Sequence, residues 1–174
     1  MPASPATTQK LIQIPICKGL TVTEAEQILS IAEEQSVGRS GVVFREGDAG
    51  DGVYVVLEGT MEVTKRDRQG KEQSIAKLSD GTVVGEMSLV SGDAARSATV
   101  VATSDARLLK ISSSKFQALL QRDSVAALKM VNNLAQVMSR RMLLMNEKVV
   151  ELMEKGTRKE ELADFQKVLA NWAF

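Results

Sequence analysis

Ten of the twelve glycines lie between residues 38 and 92, and none of the three prolines does. Pairs of β-branched residues recur between these glycines, at Val42-Val43, Val55-Val56 and Val83-Val84. Short valine-rich runs separated by turn residues are typical of antiparallel strands and predict an all-β roll or barrel. The expected strands are 42–44, 52–57, 61–65, 73–78, 98–102 and 106–111.

Helical patterns flank this β region on both sides. Before it, the spacing of Thr23 and Glu26 resembles a capping box, and the apolar residues that follow predict a helix over about 22–34. After it, a short helix is expected around Phe116 and a long one from Asp123 or Ser124 to about residue 155. The fold class is therefore α+β, an eight-stranded-type antiparallel, jelly-roll-like β-roll with N-terminal helices and a long C-terminal helix.

The patterns divide the chain into five segments. Residues 1–8 have the small polar residues and prolines of a disordered tail. An apolar stripe near the C-terminus, at Leu162, Phe165, Val168, Leu169 and Trp172, predicts an amphipathic helix. The predicted organisation is a tail over 1–8, an N-terminal helical segment over 9–36, a β-roll over 37–112, C-terminal helices over 113–156 and a terminal amphipathic helix over 157–174.

Apolar residues in the long helix recur with alternating steps of three and four. This period of 3.5 residues is typical of a helix that pairs with another helix along its length. We therefore expect a homodimer through residues 125–153, with the helix contacting its own β-roll only in its first turns. The seam of this dimer comprises Leu128, Val131, Ala135, Met138, Met142, Met145, Val149 and Leu152.

The composition excludes several classes of protein. The chain has no histidine, so it lacks the usual general base and the commonest zinc ligand, and we expect neither an enzyme nor a metal site. Its 22 basic and 22 acidic residues balance, which disfavours a DNA-binding protein. The chain has a single cysteine, Cys17, and we find neither a signal sequence nor an apolar run of membrane-spanning length. We therefore expect a cytoplasmic protein without a membrane contact.

The stretch VGEMSLVSGDAARSAT, residues 84–99, has the features of an anion-binding site. Gly85 follows an expected strand, and residues 87–90 can form one helical turn whose first amides lack helical partners. Arg96 lies ten residues after Glu86, among small neighbours that leave room for its guanidinium to fold inward onto an anion. Alternatively, the glycine and glutamate form a β-turn, and Glu86 and Arg96 a surface ion pair.

This stretch resembles the phosphate-binding cassette of cyclic nucleotide-binding domains, and the order of glycines, strands and helix from Phe44 to Leu152 is similar to that family. By this resemblance, Arg96 and Ser97 bind the cyclic phosphate and Glu86 binds the ribose 2′-hydroxyl. The amides of Gly85, Met87 and Ser88 hold the remaining oxygens, and Ala98 completes the cassette. The implied ligand is cAMP, with cGMP as the alternative.

The resemblance also suggests which residues contact the base. Val63, Ile75 and Val84 fall where the family lines its purine pocket, although each is equally well explained as a core residue of the roll. Met145 and Asn146 fall where the family contacts adenine across a dimer. Asn146 offers a donor and an acceptor suited to adenine, whereas Met145 offers only packing.

The sequence therefore predicts a stand-alone cAMP sensor that binds its ligand without turnover. One alternative is a regulatory module that acts on a protein effector through the C-terminal helix. Another is a truncated transcription regulator, because 157–174 is too short for the helix-turn-helix domain that follows in some relatives of the family.

Overall fold

The computed structural model describes residues 5–90 and 95–154 of the chain. These residues fall into two units, one that ends at Leu134 and one that begins at Ala135. Part of the predicted tail, residues 1–4, and the predicted terminal helix, residues 157–174, lie outside the described residues.

Eight strands form two four-stranded antiparallel sheets in the first unit. The first sheet has the order β1-β8-β3-β6 and the second the order β2-β7-β4-β5. This confirms the predicted antiparallel roll. The strands are β1 Ala32–Val37, β2 Val42–Phe44, β3 Gly52–Glu58, β4 Met61–Arg66, β5 Glu72–Leu78, β6 Val83–Val84, β7 Thr99–Ala102 and β8 Ala106–Ser112.

Side chains from both sheets meet in one hydrophobic core. Tyr54, Val56 and Leu108 come from the first sheet, and Met61 and Val100 from the second. Because successive side chains of a strand point to opposite faces, each strand supplies the core with every second residue. The two sheets are therefore held together by the burial of these apolar side chains.

Strand β3 is buried along almost its whole length, which explains its continuous apolar run. Its Tyr54 and Val56 face the core between the sheets. Helices α3 (Met87–Val90) and α4 (Ser113–Leu120) also pack on β3, so the first sheet carries helices on its outer side. Of these two helices, α3 belongs to the stretch 84–99 that the sequence marks as an anion site.

The N-terminal region differs from the prediction at three points. Helix α1 (Pro5–Gln13) begins inside the predicted tail, with proline at its first position, because Leu11 is fully buried and Thr7 donates to Glu34. Helix α2 (Val22–Leu29) is capped by Thr21 and Glu24, not by the predicted pair. It ends early because the chain continues into β1, which pairs with β8 within the predicted helical segment 9–36.

Helix α5 (Val125–Glu154) begins in the first unit. Its Lys129 pairs with Glu24 of α2 at 2.8 Å, and the Asn133 amide donates to the carbonyl of Lys18 at 2.8 Å. Its buried residues there are Ala126, Ala127, Met130 and Leu134. These hydrogen bonds of the first turns reach the N-terminal helical region, whereas we expected contacts with the roll.

The second unit contains the distal half of α5, residues 135–154. Met138, Met142 and Met145 of the expected seam are exposed, and so are Leu143, Leu144 and Val150 outside the seam. This half of the helix is thus rich in apolar surface. Among the described residues, none of the helices is both long and apolar enough to span a bilayer.

Candidate functional site

The turn that follows β6 carries the candidate site. Gly85 has a φ of +71°, a conformation that residues with a Cβ rarely adopt. A Cβ atom on Gly85 would lie only 2.2 Å from Nη1 of Arg96. The predicted sharp turn and the single helical turn α3 are both present, and glycine is required at 85 because the guanidinium lies directly against the backbone.

The guanidinium of Arg96 is buried, with only 5% of the residue exposed. Its Nη1 donates to the Ser88 hydroxyl at 3.0 Å and to the Gly85 carbonyl at 3.2 Å. Its Nη2 donates to the Gly52 carbonyl at 2.7 Å and to the Asp51 carboxylate at 2.9 Å. All four terminal N–H donors are therefore taken by acceptors of the protein itself.

Aromatic rings complete the surroundings of Arg96. The Phe44 ring centre lies 4.2 Å from the guanidinium carbon and the Tyr54 ring centre 5.6 Å from it, both within the range of cation–π attraction. The Nε atom of Arg96 is buried and has no hydrogen-bond partner. A buried donor without an acceptor lowers the stability of the fold. A hydrogen bond to this atom would therefore contribute more free energy than the same bond formed in water.

The carboxylate of Asp51 connects Arg96 to the surface. It accepts a hydrogen bond from Arg96 and another from Lys110, while its side chain remains about half exposed. Partial burial alone would raise the pKa of Asp51, but the hydrogen bond and the charge of Lys110, together with the charge of Arg96, outweigh burial and lower that pKa. Asp51 therefore stays ionised and neutralises part of the charge on Arg96.

The backbone on either side of Arg96 is also anchored. Its amide donates to the carbonyl of Asp48 and its carbonyl accepts from the amide of Gly47, both at 2.8 Å. In the same loop, the Asp48 carboxylate accepts from the amide of Arg45 and the Glu46 carboxylate from the amide of Arg66. Both carboxylates therefore satisfy backbone amides.

Helix α4 holds α3 in place through two side chains. The Ser113 hydroxyl donates to the carbonyl of Ser88, and the Gln117 amide donates to the carbonyl of Leu89. Both acceptors belong to the single turn that carries the candidate anion site. A displacement of α3 would therefore have to move α4 or break these hydrogen bonds.

The structure brings the predicted cassette residues together at one end of the first sheet. Ser88, Arg96 and Ala98 are buried, Gly85 and Glu86 are half-buried, and Met87 and Ser97 are exposed. The amide of Ser88, one of the predicted ligand donors, instead donates to the Gly85 carbonyl at 3.2 Å.

The five predicted base contacts are divided between the two units. Val84 belongs to the core between the sheets and Val63 packs against that core. Ile75 is 57% exposed. It is the extra residue of a β-bulge, because Val63 pairs with Ala76 and Thr64 pairs with Ser74, which leaves Ile75 without a partner on β4. Met145 and Asn146 are exposed in the second unit. The roles of all five residues in binding the base remain predictions.

Sequence reasoning missed Asp51, Phe44 and Lys110 as partners of the site. Asp51 lies 45 residues before Arg96 in a loop rich in glycine and aspartate, where carboxylates commonly serve turns. Neither composition nor spacing distinguishes it from Asp48, which does serve a turn. In the described part of the chain, no group of three histidine, cysteine, aspartate or glutamate side chains could hold a metal ion.

Comparison with known proteins links this geometry to a family. The sequence profile of the family described as "Cyclic nucleotide-binding domain" matches residues 34–123, which include both sheets and the cassette. The Cyclic AMP receptor protein of Thermus thermophilus is 31% identical over 128 residues, which cover 74% of this chain and 57% of that protein.

Two further similarities extend the comparison. The cAMP-dependent protein kinase regulatory subunit of Mycosarcoma maydis is 34% identical over 108 residues, covering 60% of this chain but only 20% of that protein. The crystal structure of a cyclic nucleotide-binding domain from Methylobacillus flagellatus superposes with a TM-score of 0.75 at 23% identity, covering 88% of this chain and 86% of that one. The chain thus spans less than two thirds of the length of the receptor protein and of the kinase regulatory subunit.

Proposed function

Because this chain belongs to the cyclic nucleotide-binding domain family, we propose that it is a cAMP sensor that binds its nucleotide without turnover. One observation carries the proposal. The buried guanidinium of Arg96 packs against the backbone of Gly85, in the turn where the family signature begins. A fixed cation beside main-chain donors is suited to a phosphate monoanion.

In this proposal the phosphate binds by exchange. The four terminal donors of Arg96 already have protein acceptors, so a phosphate oxygen that binds one of these donors replaces an acceptor, whereas Nε has none to lose. The Asp51 carboxylate and the Ser88 hydroxyl are the replaceable ones, because a side chain can rotate away whereas the carbonyls belong to the folded backbone. The half-buried Glu86 accepts from the ribose 2′-hydroxyl, which selects a ribonucleotide.

The same exchange supplies a route for the signal. When the acceptors of Arg96 change, the position of Ser88 in α3 changes with them, and Ser113 and Gln117 of α4 are hydrogen-bonded to α3. The ligand shifts the equilibrium only if it binds one arrangement of these helices better than the other. The C-terminal helices that follow α4 carry the response.

We assign the base as adenine. The names of two relatives, a cyclic AMP receptor protein and a cAMP-dependent protein kinase regulatory subunit, support cAMP. Asn146 offers the donor and acceptor that the edge of adenine requires. The alternative is cGMP, with the same phosphate and ribose contacts.

The proposal includes a homodimer through residues 125–153. The exposed methionines of the seam support it, since contiguous apolar surface on a helix favours a partner helix. A protein effector that docks on the C-terminal helices is the second candidate, and the similarity to a kinase regulatory subunit favours it. The single cysteine agrees with a reducing compartment, and we place the protein in the cytoplasm.

Isothermal titration calorimetry of the full chain with cAMP, cGMP and 5′-AMP tests the function. We expect saturable binding of cAMP, weaker binding of cGMP and none of 5′-AMP, whose phosphate is not cyclic. Chromatography after prolonged incubation should recover cAMP intact. Equal affinity for 5′-AMP and cAMP, or the appearance of AMP, would contradict the proposal.

A further inference from the structure

The distal half of α5 has a second apolar face besides the seam. Leu143 is 58% exposed and Val150 is 54% exposed, and they lie two turns apart on one side of the helix. At 3.6 residues per turn, this side lies roughly 120° around the helix from the seam methionines. A partner helix on the seam therefore leaves it uncovered. We call the surface formed by Leu143 and Val150 the outer face.

The outer face is a shallow, open surface along one side of the helix. A depression of about 440 Å³ is lined by Leu143, Asn146, Glu147, Val150 and Glu151, all on the distal half of α5. Its two apolar residues are seven positions apart, and the polar ones lie between and beside them. This spacing fits a single helix that presents apolar residues at the same interval.

The chain itself supplies such a sequence directly after α5. The C-terminal segment, residues 157–174, follows Gly156, a residue that commonly ends a helix and allows the chain to reverse. Its apolar residues Leu162, Phe165, Leu169 and Trp172 have steps of three, four and three. At 1.5 Å per residue, eighteen helical residues would be about 27 Å long, enough to reach back past Leu143.

The register of the two sequences matches around Gly156. Leu162 follows Gly156 by six residues and Val150 precedes it by six. Leu169 follows it by thirteen residues and Leu143 precedes it by thirteen. In an antiparallel hairpin that turns at Gly156, both leucines of the segment therefore lie opposite the two apolar residues of the outer face.

We propose that the C-terminal segment folds back antiparallel along α5 and covers the outer face, with Leu162 on Val150 and Leu169 on Leu143. This occupant is favoured over a second copy because the short connection through Gly156 gives the segment a high effective concentration. The seam then remains available to a partner helix. The inference concerns the second unit alone and requires no nucleotide.

Disulfide trapping in the nucleotide-free full chain tests the register. We expect the pair Val150→Cys and Leu162→Cys to form a disulfide within one chain several-fold faster than the control pair Val150→Cys and Asp164→Cys. Asp164 is close in sequence to Leu162 but would point to the opposite side of a helix. The native Cys17 will not compete, since it is fully buried and burial raises the pKa of its thiol to about 12.

The sole tryptophan, Trp172, gives a second measurement without new cysteines. We expect Leu143→Ser to shift its fluorescence to longer wavelength and to raise acrylamide quenching several-fold. Leu144→Ser is the matched control, because Leu144 is also 58% exposed but points about 100° further around the helix. This control should leave Trp172 unchanged.

Three results would overturn the proposal. The first is equal disulfide formation in the two cysteine pairs, and the second is an equal response of Trp172 to both serine variants. The third is a disulfide that joins two chains, seen as a covalent dimer on a denaturing gel, because the occupant would then be a second copy. All of these measurements are made on the nucleotide-free chain, so their outcome is separate from the proposed function, which titration of the parent with cAMP tests.

Discussion

The Arg96 site and the distal half of α5 reverse the usual relation between polarity and burial. Arg96 carries a full charge and is 5% exposed, whereas Met145 is apolar and 65% exposed. The charge is tolerated because four acceptors and two aromatic rings of the same chain surround it. Met145 has no comparable burial among the residues that the structure describes, and in the proposed dimer its partner is a second helix.

This difference separates two kinds of functional surface. The surroundings of Arg96 lie within one unit, and we propose that a nucleotide binds there by exchanging contacts that already exist. The distal helix exposes apolar surface, which we propose is covered by other helices. Four of the following five experiments change one of these two regions.

The largest expected effect concerns the seam. The double variant Met142→Glu, Met145→Glu should raise the dissociation constant of the proposed dimer about a thousandfold or more. Each methionine that the dimer buries contributes roughly 1.5–3 kcal/mol on each chain. Sedimentation equilibrium measures the change. Gln136→Glu, which adds a charge to the same helix outside the seam, should leave the dimer intact, and a parent that is already monomeric would refute the seam.

Replacement of the buried cation should have the next largest effect. Arg96→Leu should weaken cAMP binding about 10- to 100-fold or more, because a hydrogen bond to a charged group contributes about 1.5–3 kcal/mol. It should also lower the melting temperature, since Asp51 and Ser88 lose their donor. Calorimetry and thermal circular dichroism report the two effects, and Arg68→Leu at the tip of the β4–β5 hairpin is the exposed control. Parent-like affinity in Arg96→Leu would remove the basis of the site.

A third experiment examines the ribose contact. Glu86→Ala should weaken cAMP about tenfold, the value of one charge-assisted hydrogen bond, with little change in melting temperature. The parent should show a similar loss with 2′-deoxy-cAMP, and the variant should no longer distinguish the two nucleotides. If the variant still prefers cAMP over the deoxy form, another residue binds the 2′-hydroxyl.

The pH dependence of stability tests the interior of the first unit, where Cys17 is buried. Burial raises the pKa of Cys17 from 9.0 to about 12, so above pH 9 the unfolded chain loses a proton that the folded chain keeps. Over this range, the free energy of unfolding of the parent should therefore fall with pH more steeply than that of Cys17→Ala. The difference between the two slopes should be about 1.4 kcal/mol per pH unit. Urea unfolding at several alkaline pH values measures the slopes, and parallel slopes would show that the thiol is accessible.

The smallest effect is expected at Asp51, which competes with phosphate for Arg96. Asp51→Asn should raise the affinity for cAMP a few-fold. The native pKa of Asp51 lies below its usual value, so its contribution to stability is present at neutral pH and disappears as the pH falls through that pKa. The variant should thus be less stable than the parent at pH 7 and equal to it in strong acid. A variant that binds cAMP more weakly would make Asp51 a supporting residue instead of a competitor.

Local patterns predicted most of the roll and the cassette. Gly85 and the β-branched pairs act over a few residues, where steric rules for turns and strands decide the conformation. The N-terminal region was predicted less well. The polar sequence around Thr7 and Thr8 resembles a disordered tail, but these two residues are buried because a helix at this position packs its Leu11 into the interior.

The sequence by itself predicted which residues carry chemistry: a glycine turn, a glutamate and, ten residues after it, an arginine. Tertiary structure alone decided what those residues contact. Asp51 and Phe44 are far from Arg96 along the chain, and only the fold brings them beside its guanidinium and Lys110 beside Asp51. Local conformation depends on neighbouring residues, whereas the environment of a buried charge depends on the whole fold.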